Sequence, residues 1–217
     1  MRIYIDSADI TEIKEALATG FVYGVTTNPT LLRRASVRIA DVAGLARQLF
    51  ELGAKELHLQ TYSADADAIV REGTDLAALD PQRVVVKIPA VPEGYAAAAR
   101  LSNSWLRVTM TAVYTVRQVV LAQAAGARYV AVYVGRMRDS GFDALQLIGQ
   151  MQHTINIQDS RLEILAASVR SPEELDALAE LGVATVTLPW KVLSRLAASE
   201  ATETAANTFF EDAKAIQ

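Results

Sequence analysis

The chain has 217 residues, 51% of them hydrophobic and 21% charged, with a formal net charge of −4. That is enough for a sizeable core, and it shows no basic excess that would mark a nucleic-acid or membrane-surface partner. Cysteine is absent, which excludes disulfides, thiolate metal sites and a cysteine nucleophile, and two histidines, His58 and His153, are too few for a histidine metal cluster.

Taken in order, the chain alternates short β-branched runs with helical spacing. Arg2 to Asp6 predicts a first strand, and Ala8 to Thr19 a helix with Ile10, Ile13, Ala16 and Leu17 on one face and Asp9 as a cap. Val22 to Thr26 predicts the second strand, followed by a polar turn, Thr26-Thr27-Asn28-Pro29-Thr30. A helix over Val37 to Leu52, a strand over Glu56 to Gln60 and a helix over Ala64 to Leu79 come next. The fourth strand is Arg83 to Lys87, with an alanine-rich helix over Glu93 to Ser102. The second half repeats the pattern: strands over Leu106 to Thr111, Arg128 to Tyr133, Arg161 to Ala166 and Ala184 to Leu188. The helices between them cover Thr115 to Ala125, Phe142 to Ile155, and the stretch from Ser171-Pro172 to Gly182, which has a cap, a first-turn proline and a terminating glycine. A helix is expected from about Pro189, and a last amphipathic one over about Thr202 to Ala215.

Strict β/α alternation implies a parallel sheet, and eight units suggest closure into a (β/α)8 TIM barrel. A doubly wound open sheet usually carries a glycine-rich first turn, and no G-x-G-x-x-G is present. The expectation is a single barrel domain over 1–217, with about 202–217 as an additional C-terminal helix that packs on a neighbouring subunit. Arg2 and Asp6 break the first apolar run, so no signal peptide is read, and no apolar segment approaches the roughly 20 residues of a membrane span. A cytoplasmic protein with no membrane or nucleic-acid partner is expected.

The run Arg83-Val84-Val85-Val86-Lys87-Ile88-Pro89 reads as a strand buried on both faces. A lysine at its tip is expensive to desolvate, so it calls for a carboxylate partner or a depressed pKa, and a lysine of lowered pKa is the nucleophile of Schiff-base chemistry. The plain alternative is a lysine that snorkels to solvent. The other strand ends are polar too: Asp6, Thr26 with Asn28, Gln60, Thr111, Tyr133, Ser168 and Thr187. In a barrel these ends converge on one face, where such a set around one lysine resembles a site. Asp6 is then a proton carrier or a structural ion-pair partner of Lys87. Arg136 and Arg170 follow the sixth and seventh strands, where barrels often bind phosphate, and the pairs Arg33-Arg34 and Arg136/Arg138 favour an anionic substrate entering the same face.

Asp6, Val25-Thr-Thr-Asn-Pro-Thr30, Val84-Val-Val-Lys-Ile-Pro89, Thr111-Ala-Val-Tyr114, Tyr133-Val-Gly-Arg136 and Ala166-Ala-Ser-Val-Arg170 together resemble the transaldolase family, in particular its short branch, which includes fructose-6-phosphate aldolase. The resemblance spans nearly the whole chain. It implies a class I aldolase on a (β/α)8 barrel, with no cofactor and no metal, in which Lys87 forms a Schiff base with a ketose phosphate. The C3–C4 bond then breaks and a dihydroxyacetone unit stays on the lysine. By the same resemblance Asp6 handles protons, and Asn28 and Ser168, with Thr26 beside them, hold the dihydroxyacetone unit. Gln60, Thr111 and Tyr133 hold the relay water, and Arg136 and Arg170 bind the terminal phosphate. Gln60 and Tyr133 are as in the fructose-6-phosphate aldolases, where transaldolases proper tend to have Glu and Phe; Arg170 pulls the other way. The leading expectation is therefore an aldolase of the fructose-6-phosphate type. The alternatives are a transaldolase moving the unit between sugar phosphates (or sugars with another terminal anion), a non-catalytic sugar-phosphate-binding barrel and, against the shortage of histidine and glutamate at strand ends, another phosphate-binding barrel enzyme such as an isomerase. The resemblance also suggests a homo-oligomer, a pentamer or a decamer. His58 is expected to face a helix as a satisfied core residue, His153 to be solvated and Trp190 to pack.

Overall fold

The computed structural model describes residues 1–158 and 160–216. Its centre is a closed barrel of eight parallel strands in sequence order: β1 (Arg2–Asp6), β2 (Val22–Thr26), β3 (Glu56–Gln60), β4 (Val84–Pro89), β5 (Val108–Val113), β6 (Tyr129–Tyr133), β7 (Glu163–Ala167) and β8 (Thr185–Leu188). The helices are α1 (Ile10–Ala18), α2 (Pro29–Arg34), α3 (Val42–Glu51), α4 (Ala66–Ala77), α5 (Pro92–Asn103), α6 (Val116–Ala124), α7 (Val134–Asp139), α8 (Ala144–Ile157), α9 (Pro172–Glu180), α10 (Trp190–Leu193) and α11 (Glu200–Ala215). The (β/α)8 barrel read from the alternation is the fold observed.

Alternation along each strand sorts its side chains into two cores. Ile5, Val25, Leu57, Leu59, Val86, Ile88, Val130 and Val132 point outward and share one large buried cluster with the helices. Tyr4, Ala131, Tyr133, Leu165 and Ala167 form a smaller cluster inside the barrel. This explains the unbroken apolar run of β4: Val84, Val86 and Ile88 face helices, while Val85 and Lys87 face the lumen. All of β4 except Pro89 is buried.

The differences from the sequence reading are local. Asn28-Pro29 is not a turn: the Asn28 side chain accepts from Leu31 N at 3.1 Å as an N-cap, Pro29 occupies the first turn, and α2 follows. The expected helix over Val37 to Leu52 is shorter, a 3-10 turn at Ile39–Asp41 leading into α3. A second unforeseen helix, α7, begins directly after β6. The helix expected from about Pro189 is the short α10, four residues long, before α11. His58 does not face a helix. It points into the lumen, because Glu56, His58 and Gln60 alternate with the outward Leu57 and Leu59. His153 is exposed and Trp190 packs on the outer core, as expected.

Candidate active site

The lumen has two polar ends. At the amino-terminal floor, the Glu56 carboxylate accepts from Tyr4 OH at 2.8 Å and lies 3.0 Å from His58 Nε2; it also pairs with Arg107. His58 Nδ1 lies 2.9 Å from Thr109 Oγ1. Burial alone would raise Glu56, but the hydrogen bonds of His58 and Tyr4 and the charge of Arg107 hold it down at about 2. Burial dominates His58 and lowers it, against the opposing pull of Glu56, so a neutral imidazole donates Nε2–H to the carboxylate and accepts from Thr109.

At the carboxyl-terminal mouth, Lys87 is 2% exposed. Its Nζ donates to the Thr27 carbonyl at 3.2 Å, and Asp6 lines the same cavity without forming an ion pair with it. The expected carboxylate partner is therefore not engaged, and the lysine is held at the end of its strand by one backbone acceptor. The cavity it lines measures about 130 Å³ and is bordered by Asp6, Asn28, Thr30, Leu31, Arg34, Tyr133, Arg136, Ala167 and Ser168.

The supporting contacts are short and local. Thr26 Oγ1 donates to Asp6 Oδ1 at 2.7 Å and lies 2.7 Å from Thr187 Oγ1, fixing the carboxylate from β2 and β8. Thr111 Oγ1 and Tyr133 OH are 3.0 Å apart. That meeting depends on an irregular stretch of β5 between Met110 and Val113, where Ala112 adopts φ 59°. Ser168 also has a positive φ of 59°. Two non-glycine residues in the left-handed region, each at the carboxyl end of a strand, mark positions where the surrounding structure sustains backbone strain.

The structure thus brings Asp6, Asn28, Lys87, Tyr133, Arg136 and Ser168 to one cavity, with Thr26 and Thr111 hydrogen-bonded to its lining. Gln60 is the ladder neighbour of Lys87 but is not among the residues bordering its cavity; it is among those bordering a separate cavity of about 490 Å³ between α2–α3 and α4. Arg170 does not line the site. Its guanidinium forms a two-pronged pair with Asp139, with the NH1 contact at 2.7 Å. Thr30 and Arg34 also line the cavity; the sequence reading gives Arg34 only as half of the Arg33-Arg34 basic pair and Thr30 only as the end of a polar turn. The signal was present in Asn28-Pro29: a helix starting there puts residues 30 and 34 on one face, four apart.

A parallel barrel with a buried lysine, a carboxylate and guanidinium groups at the carboxyl ends of its strands has the layout of a barrel enzyme. The chain matches the Transaldolase/Fructose-6-phosphate aldolase family over residues 3–217. It is 35% identical over 218 residues to a probable transaldolase of Thermus thermophilus, covering 98% of this chain and 97% of that one. It is 36% identical over 212 residues to a probable transaldolase of Kosmotoga olearia, covering 98% and 95%. The chain belongs to the transaldolase/fructose-6-phosphate aldolase family and is an enzyme of that aldolase/transaldolase class. Among solved structures, thiamine phosphate pyrophosphorylase from Pyrococcus furiosus aligns with a TM-score of 0.61 at 16% identity, over 90% of this chain and 93% of that one, a likeness of fold. Among the described residues no helix is long and apolar enough to cross a membrane, and no group of three or more His, Asp or Glu could hold a metal ion.

Proposed function

We propose that the protein is a class I aldolase of the fructose-6-phosphate type, using Lys87 as its Schiff-base nucleophile. The observation that carries this reading is Lys87 itself: buried in the lumen, paired with no carboxylate among the described residues, and opening on a cavity shared with Asp6 and Tyr133.

The Lys87 amine adds to the C2 carbonyl of a ketose phosphate, and loss of water gives a protonated imine. Asp6, oriented by Thr26, removes the proton from the C4 hydroxyl as the C3–C4 electron pair moves into the iminium. An aldose phosphate leaves, and a dihydroxyacetone enamine stays on the lysine. Asn28 and Ser168 hold the hydroxyls of this unit. A water on the Thr111–Tyr133 hydroxyl pair, with Gln60 beside Lys87 on the neighbouring strand, carries the proton to C3, and hydrolysis then frees dihydroxyacetone. The Tyr133 hydroxyl supports release over transfer, because a phenol can complete a proton relay that an apolar side chain cannot.

Transfer of the unit to a second aldehyde is the alternative reading, favoured by the names of the two relatives. Free dihydroxyacetone measured from fructose 6-phosphate separates the two. Release without added aldehyde is the expected result; no free dihydroxyacetone, with a new ketose formed only on adding an acceptor aldehyde, would make the enzyme a transaldolase.

The working form is a homo-oligomer. No residue of α11 is buried, yet Phe209 and Phe210 are 69% and 63% exposed on it. A helix of 16 residues gains little from its own hydrogen bonds in water, so a second copy covering this face supplies the missing burial.

A further inference from the structure

A phenol can relay a proton only while its hydroxyl stays within hydrogen-bond reach of its partner, so the tilt of the Tyr133 ring matters. The hydroxyl lies 3.0 Å from Thr111 Oγ1, and the Arg136 guanidinium stands 4.5 Å from the ring centre. The third neighbour is Tyr114, whose ring meets that of Tyr133 edge-on, with centroids 5.9 Å apart and planes at 82°. Edge-to-face contact is a favoured arrangement of two aromatic rings, and it fixes the tilt of one against the other. Apart from Tyr4, the lumen cluster around Tyr133 consists of Ala131, Leu165 and Ala167, which restrict a ring's position but not its orientation.

Tyr114 reaches this place because β5 is irregular. Between Met110 and Val113, β5 has two residues, Thr111 and Ala112, where β6 has one, Ala131, between Val130 and Val132. Met110 and Val113 both pack in the outer core, and Ala112 packs against the lumen cluster. Strict alternation from Met110 would have put Val113 in the lumen and Tyr114 outside. The extra residue inverts that order and brings Tyr114 against the lumen cluster. Ala112 adopts φ 59° to do so, a conformation that an L side chain sustains only under constraint. The constraint is visible just beyond it: the N–H groups of Tyr114 and Thr115 donate to Gln118 Oε1 at 2.9 and 3.1 Å, tying the segment to α6.

We infer that Tyr114 is a positioning residue of this enzyme: its ring edge holds Tyr133 against Thr111 and thereby sets the rate at which the dihydroxyacetone unit is released. Tyr114 acts through Tyr133 and not on the reacting atoms. The strain at Ala112 maintains this contact. The inference rests on the aldolase reading for its kinetic consequence, but the ring contact can be observed without turnover.

The test compares the unmodified chain with Tyr114→Leu and Tyr114→Met, which remove the ring, and Tyr114→Phe, which keeps it. Three things are read: free dihydroxyacetone released from fructose 6-phosphate, the borohydride-trapped adduct formed with dihydroxyacetone, and a crystal structure of a ring-deleted variant. Tyr114→Leu and Tyr114→Met are expected to slow release by about three- to tenfold, with adduct formation within about twofold of the unmodified chain. Tyr114→Phe should restore release to within about twofold, and the crystal structure should show the Tyr133 hydroxyl away from Thr111. Release unchanged in both ring-deleted variants would overturn the inference. So would an equal fall in Tyr114→Phe, a Tyr133 hydroxyl still on Thr111, or a parallel loss of release and adduct. No release by the unmodified chain, with the Tyr133 ring displaced in Tyr114→Leu, would reject the aldolase reading and uphold the ring contact.

Discussion

The floor and the mouth of this barrel are both polar, yet they are built on opposite rules. At the floor every buried group has a partner: the Glu56 carboxylate takes Tyr4, His58 and Arg107, and His58 spends both ring nitrogens on Glu56 and Thr109. At the mouth the charged groups keep spare capacity: Lys87 has one carbonyl, and Arg34 and Arg136 make no ion pair among the described residues. A saturated network fixes structure, since each buried polar atom left alone costs free energy. An unsaturated one is poised to bind and react. Of the non-glycine residues at positive φ among the described residues, Ala112 and Ser168 are at the mouth, while Trp105 precedes β5 and Ser36 follows α2.

The comparison is broken most forcefully from the floor. Glu56→Ala strands the Tyr4 hydroxyl and the His58 Nε2–H and leaves Arg107 without its carboxylate, for an expected loss of about 3 kcal/mol in urea unfolding. The kcat of the molecules that remain folded should stay within about twofold. A large fall in kcat at unchanged stability would mean that the floor takes part in chemistry.

Acid sharpens the same contrast with a smaller effect. His58 has a folded pKa below its ordinary 6.5, so its contribution is present above pH 6.5 and declines as the pH falls through and below that value. Glu56, at about 2 against an ordinary 4.5, contributes above pH 4.5 and loses that contribution on the way down to about 2. The urea midpoint should therefore decline in two stages below neutrality. His58→Gln should flatten the first stage, so that the urea midpoint falls less between pH 6.5 and 5.5 in the variant than in the unmodified chain. An unchanged first stage in that variant would show that His58 is not the titrating group.

How legible each region was follows from the range of its interactions. The barrel was legible because it follows from local alternation, and β4 because a two-sided strand must be apolar throughout. The cluster of polar residues at the mouth was legible because strand ends are brought together by topology alone. His58 was misdirected because one residue of period was overlooked: the alternation of Glu56, His58 and Gln60 with Leu57 and Leu59 was there to read. α2 was hidden because an Asn-Pro pair opens turns and helices alike. The state of Arg170 was not legible, because Asp139 lies 31 residues before it in the chain and meets it only across α7. Nothing in the local sequence separates the tied arginine, Arg170, from the free one, Arg34.

The central claim is that Lys87 carries the substrate covalently. Fructose 6-phosphate is added to the whole protein, borohydride follows, and intact mass with peptide mapping reads the product, with Lys87→Met as the control. A reduced dihydroxyacetone adduct on the peptide containing Lys87, absent from the variant, is the predicted result. An adduct that persists in Lys87→Met, or no adduct with fructose 6-phosphate, a panel of other ketoses and dihydroxyacetone itself, would contradict the account.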